Sequence, residues 1–152
     1  MHRPTWAEVD LSAIRDNIRA IREKVGPKIK LMPAVKANAY GHGAVPVSRA
    51  CLEAGADVLS VCCVEEAQEL RQAGIRAPIL ILGCSMPESA GDILQLDVAS
   101  AVCDADFAQA SFDAIAIAKA TARTTHAATK FLCLIAFSSF GFLPSTLHNR
   151  SS

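Results

Sequence analysis

The sequence predicts an α/β fold built on a parallel sheet, on three counts. Strand-like runs alternate with helical stretches of about ten residues. The turns between them are short and several carry glycine, as at Gly26, Gly55 and Gly74. One run, Pro78-Ile-Leu-Ile-Leu-Gly83, is apolar without alternation, as a strand covered on both faces requires.

In chain order, Trp6–Leu11 alternates and reads as a short strand. Ser12 stands where a helix cap belongs, and Ile14, Ile18, Ile21 and Val25 recur at helical spacing up to Gly26-Pro27. Arg15, Arg19 and Arg22 fall on the outer face of that helix, which reads as a solvated face. Lys28–Lys36 reads as a strand. Pro33 confines it to an edge or an end, because proline cannot donate to a sheet ladder. Asn38–Gly43 reads as a loop, freed by Gly41 and Gly43. A helix then runs from about Ala44 to Ala54 and a strand covers Asp57–Val64. Next come a helix at Glu65–Ala73 and the strand at Pro78–Gly83. A helix at Glu88–Leu96, a strand at Val98–Val102 and a helix opening at Asp104 or Asp106 complete the series.

Length and composition narrow the function classes. The chain has 152 residues, enough for one core and too few for a complete eight-fold βα barrel of roughly 200 or more. Fifteen basic residues balance fifteen acidic ones, which argues against a nucleic-acid binder. The longest aliphatic and aromatic run, Phe131–Phe142, is short of the roughly 20 residues of a membrane helix. The start of the chain lacks the apolar core of a signal peptide, so a cytoplasmic protein is expected. None of the six cysteines forms a C-x-x-C pair, and no histidine stands at zinc-ligand spacing from them. No metal is expected, and the cysteines read as buried reduced thiols. From Ala114 to Ser152 there is no acidic residue, and all six phenylalanines lie at or after Phe107. This break divides the chain into a domain at 1–112 and a divergent tail at 113–152 with no recognisable domain.

Alternation places Lys30, Met32, Ala34 and Lys36 on one face of their strand. A lysine at the C-terminal end of such a strand sits where α/β sheets gather their active sites. Partial burial there favours the neutral amine, a nucleophile or a base. Tyr40, four residues on, has a hydroxyl suited to an anionic group such as a phosphate. On spacing alone, a solvent-facing lysine at a strand end remains the simpler reading.

The stretch Lys36-Ala-Asn-Ala-Tyr-Gly-His-Gly43 resembles the pyridoxal-phosphate attachment signature of the alanine racemase family. The opening Thr5-Trp-Ala-Glu-Val-Asp-Leu11 and the segment Val61-Cys-Cys-Val-Glu-Glu-Ala67 resemble the same family, over about residues 3–110. The resemblance implies a partial (β/α)8 TIM-like barrel of about four βα units with parallel strands. It implies pyridoxal 5'-phosphate as cofactor, covalently held by Lys36, with Tyr40 on its phosphate. Lys36 would also be one of two bases exchanging the α-proton of L- and D-alanine, for peptidoglycan precursors. The family's second base is a tyrosine supplied across a homodimer interface from a separate domain.

No segment after about Ala110 matches what the family shows next, so the chain reads as the N-terminal portion of a truncated or frame-shifted racemase. Impaired activity and self-association are expected of it. The alternative is a non-catalytic half-barrel that binds pyridoxal phosphate, or a fragment that associates with a partner.

Overall fold

The structure, a computed structural model, describes residues 7–121, with side chains as far as Ile117. Helix α1 spans Leu11–Val25, and a single turn, α2, spans Lys36–Tyr40. Helix α3 is Ala44–Glu53, strand β1 Leu59–Val61, helix α4 Val64–Gln72 and strand β2 Ile79–Ile81. A 3-10 turn at Pro87–Ser89 leads into α5, Ala90–Gln95. Strand β3, Ala99–Ser100, and α6, Ala105–Thr121, follow. Helix α6 continues without interruption through the composition break near residue 112.

The sheet is parallel, in the order β1-β2-β3, with Leu59 against Ile79 and Leu80 against Ala99. A parallel sheet with a helix after each strand is the architecture of one arc of a βα barrel. The segment before Lys36 adds a fourth, edge member through a bridge between Ala34 and Ser60. It lacks a continuous ladder because Pro33 has no N–H to give. Residues Ala7–Asp10 form no strand, a correction to the expected Trp6–Leu11 strand, and Trp6 lies outside the described residues. The α1 cap is Asp10 rather than Ser12. Asp10 is extended, so its Oδ1 reaches back to Ser12 N at 2.8 Å and Ala13 N at 3.2 Å. Near the other end of the described chain Asp104 Oδ1 accepts from Phe107 N at 2.8 Å and caps α6, so of the two expected openings, Asp104 and Asp106, the helix takes the first.

One apolar cluster joins Leu59 and Val61, Ile79 and Ile81, Leu70 of α4, Ile93 of α5 and Phe107 of α6. Each such side chain contributes about 1.5–3 kcal/mol when fully buried. By alternation the opposite sheet face carries Met32, Ala34, Ser60, Leu80 and Leu82. That face is open at its ends, with Met32 42% and Leu82 44% exposed.

Two arginines close the N-terminal side of the sheet in the same way. Arg22, at the end of α1, donates to Gly26 O, Ile29 O and Gly55 O and pairs with Asp57. Arg71, near the end of α4, donates to Ile75 O, Ala77 O, Leu96 O and Asp97 O, each at 2.8–2.9 Å. Each guanidinium satisfies the carbonyl four residues ahead and those at the start of the next strands. Arg22 is therefore no part of a solvated stripe: the fork geometry of guanidinium suits several fixed carbonyls at once. Arg15 and Arg19 do stay at the surface, paired with Glu53 and Asp16.

The cysteines also depart from expectation. Cys84 and Cys103 are disulfide-bonded, with Cα atoms 5.6 Å apart. The register explains it: Ile81 faces Ser100, so residues three further along each chain meet at the same strand end. Cys51 is buried, Cys63 half-buried and Cys62 exposed. Among the described residues no cluster of potential ligands could hold a metal ion, and no helix is long and apolar enough to cross a membrane.

Two measurements test this side of the fold. Arg71→Ala strands four carbonyls and is expected to cost about 2–4 kcal/mol in urea denaturation, with Arg71→Lys recovering only part of it. The Asp57 carboxyl is held below its ordinary value, first by the Leu31 N–H and then by Arg22. A lowered folded-state value means a contribution that is full at neutral pH and lost on acidification. The stability gap between the parent and Asp57→Asn is therefore expected to shrink as pH falls from about 5 to about 3. A gap that stays constant over that range would contradict the linkage.

Candidate functional site

The C-terminal ends of the strands carry the candidate site, and it begins where one parallel ladder stops. Ser60 N donates to Pro33 O at 3.0 Å, and Val35 N donates to Ser60 O at 2.8 Å. The parallel pattern would continue with Cys62 N to Val35 O and Ala37 N to Cys62 O. Neither bond forms. Val35 O instead accepts from Ala39 N at 2.9 Å, and Cys62 O from Gly83 N at 3.1 Å. The two released donors go to one carboxylate. Glu66 Oε1 accepts from Ala37 N and Oε2 from Cys62 N, both at 2.7 Å.

Beyond Lys36 the chain turns left-handed. Ala37, Asn38, Ala39 and Tyr40 have φ of +51° to +54°. Each such non-glycine residue costs about 1–2 kcal/mol, and a run of four persists only under external restraint. The expected loop at Asn38–Gly43 is thus a strained single turn, closed by hydrogen bonds. Asn38 O accepts from Gly41 N at 3.1 Å and from Gly43 N at 2.9 Å. Asn38 Oδ1 accepts from Ala44 N at 2.7 Å and so caps the start of α3. Gly41 continues at φ +87°, where a side chain would add further strain. His42 packs back on the turn, with Nδ1 3.0 Å from Ala39 O, a contact that needs the Nδ1–H form.

These constraints place Lys36 half-buried at the head of the turn and Tyr40 at its end, 62% exposed. Among the described residues no ion pair or hydrogen bond engages the Lys36 amine. Cys62 lies two residues beyond Ser60 and so belongs to the same strand end. Gly83 fits against it closely, since a Cβ there would stand 2.4 Å from Cys62 O. Burial pushes the thiols of Cys51 and Cys63 up from their ordinary values, so neither is a ready thiolate. A free primary amine, a free phenol and a fixed turn form a site able to hold a carbonyl compound covalently and bind an anionic group beside it.

Glu66 is the residue at this strand end to which reading the sequence gave no role. A carboxylate in the third position of a helix commonly folds back to amides ahead of the helix, which is the signal that could have found it. Its second partner, Ala37, lies 29 residues away in sequence.

Comparison with known proteins gives one consistent result. The family described as "Alanine racemase, N-terminal domain" matches residues 9–129. The alanine racemase of Desulforamulus reducens is 50% identical over 126 residues, covering 83% of this chain and 34% of that protein. The enzyme of Geobacillus stearothermophilus is 50% identical over 106 residues, covering 70% of this chain and 27% of its own length. The crystal structure of alanine racemase from Bacillus anthracis with bound L-Ala-P superposes with a TM-score of 0.70 at 42% identity. It covers 75% of this chain and 30% of that one. The chain therefore spans between about a quarter and a third of the length of the relatives it matches.

The turn itself can be tested. Asn38→Ala loses both the bond to Ala44 N and the tolerance of asparagine for a left-handed backbone. It is expected to cost about 1–2 kcal/mol in urea denaturation. Asn38→Gly keeps the backbone freedom and loses only the bond, so a smaller loss is expected. Equal stability of all three proteins would show that the turn is not under strain.

Proposed function

We propose a function from one premise: the chain belongs to the alanine racemase family, within the N-terminal domain. On that premise it acts in the interconversion of L- and D-alanine, a cytoplasmic reaction that supplies peptidoglycan precursors. Lys36 would hold pyridoxal 5'-phosphate covalently, and its amine would move the α-proton on one face. Tyr40 holds the phosphate through its hydroxyl. The observation that supports this best is a primary amine without a partner among the described residues, held at a strand end by a strained turn. The residues present fit the group, because both the amine and the neighbouring phenol are available to it. When bound, pyridoxal phosphate supplies the electron sink that acidifies the α-C–H bond of an amino acid.

Racemisation removes a proton from one face of the α-carbon and returns one to the other. One base does not reach both faces. Lys36 serves one, and Tyr40, the single tyrosine of the 152 residues, lies four positions away on the turn itself. The resemblance makes the second base a tyrosine other than Tyr40, supplied by the family's separate domain across a homodimer interface, and that is the assembly we infer for supplying it. A second reading, a cofactor-holding half-barrel completed by a partner, is favoured by the open sheet face at Met32 and Leu82.

The test is to add pyridoxal phosphate, fix it with borohydride and locate the labelled lysine by mass spectrometry. Label is expected on Lys36 and is expected to vanish in Lys36→Arg, which keeps the charge without the reactive amine. Equal labelling of Lys28 would sink the assignment. Losing one acid–base group costs about 10²–10⁴ in rate, so the chain alone is not expected to support a bacterium that needs external D-alanine. Growth that disappears in Lys36→Ala would show instead that these residues form a complete enzyme.

A further inference from the structure

We propose that Glu66 is the positioning residue for Lys36, its carboxylate ending the parallel ladder at the residue where the reactive amine must leave the sheet. The proposal rests on the reading of Lys36 as the attachment lysine, and it adds a residue and a device to that reading.

The geometry is specific. A parallel ladder between the edge segment and β1 has two further donors in line, Cys62 N and Ala37 N. Glu66 takes both, one on each oxygen, at 2.7 Å. On the other side of β1 the regular pairing with the segment after β2 runs on through Leu82 N to Val61 O at 2.9 Å, and Cys62 O, the acceptor the edge ladder would have used, turns to Gly83 N at 3.1 Å. Pairing therefore persists on the β2 side while it stops on the edge side, where a carboxylate takes the two donors. A carboxylate can do this because it offers acceptors and no donors, so two converging N–H groups find partners without a clash. Charge makes both bonds strong.

The consequence falls on Lys36. Had the ladder continued, Ala37 would be extended and the turn could not begin. With Ala37 N held by Glu66, the backbone enters the left-handed region at Ala37 itself, φ +52°. Val35 O is then free to accept from Ala39 N, which closes the turn. Lys36 sits between the last ladder bond, at Val35, and this clamp, so its backbone is fixed on both sides. A helix-capping role alone would engage amides of α4 and its approach. The bond to Ala37 reaches a different unit of the fold.

The test separates positioning from stability and from cofactor binding. Parent, Glu66→Ala and Glu66→Gln are compared well below their melting transitions. The first readout needs no cofactor: the pH profile of Lys36 acylation by a small amine reagent, measured against Lys28, together with amide hydrogen exchange at Ala37. The second is borohydride-fixed pyridoxal phosphate at Lys36. In Glu66→Ala, faster exchange at Ala37, a displaced Lys36 profile and a fall of about 10-fold or more in Lys36 label are expected, with Lys28 unchanged. Glu66→Gln keeps one acceptor and is expected to fall between. If Glu66→Ala does not fold, Glu66→Gln carries the comparison. Lys36 reactivity and Ala37 exchange equal to the parent in a folded variant would overturn the proposal. Absence of Lys36 label in the parent would instead overturn the cofactor reading, leaving positioning to be decided by the cofactor-free profile.

Discussion

Two backbone hydrogen bonds, Ser60 N to Pro33 O and Val35 N to Ser60 O, tie the edge segment to β1, and the arrangement of the site follows from their being the last two. A parallel ladder is a regular pattern that propagates until something takes its donors and acceptors away. Here Glu66 takes the donors, while Ala39 N and Gly83 N take the acceptors. The four backbone groups that the ladder would have used next, Cys62 N, Ala37 N, Val35 O and Cys62 O, all keep partners, which is the condition for ending a strand inside a packed structure. Four left-handed residues are the cost of the sharp exit, and the bonds around them hold that strain in place.

The two ends of the sheet solve opposite problems. At the N-terminal ends, carbonyls of turns and strand starts converge, and the guanidinium groups of Arg22 and Arg71 answer them with fixed forks of donors. At the C-terminal end of β1, amides converge, and a carboxylate answers them. The cations lock loops that need only hold still, whereas the anion holds the amide one residue from Lys36, the one lysine at a strand exit among the described residues. This division agrees with the general rule for βα barrels, in which one face carries stability and the other carries chemistry. The Cys84–Cys103 bond joins the segments that follow β2 and β3 at the C-terminal side of the sheet, so that side too is cross-linked.

Much of this was legible in the sequence because it is local. The period of Ile14, Ile18 and Ile21, the stop at Gly26 and the apolar run before Gly83 depend on neighbours a turn or a strand apart, and they locate α1 and β2. The alternation of such runs fixes a parallel α/β sheet. Lys36 and Tyr40 stand out through eight consecutive residues, Lys36 to Gly43. Pro33 marks the edge segment, because a residue without an N–H cannot sit in a central strand. The tertiary structure decided what depends on distant partners. Local sterics disfavour a left-handed run at Ala37–Tyr40, so no propensity announces it; a carboxylate 29 residues away from Ala37 helps hold it. Arg22 looks like a surface residue on its helix and becomes a staple only when Gly55 and Asp57 are brought to it. Cys84 and Cys103 look like two apolar thiols until the register of β2 and β3 sets them side by side. Periodicity records which face of an element is buried, but hydrogen-bond donors and acceptors are matched in space, and only folding brings them together.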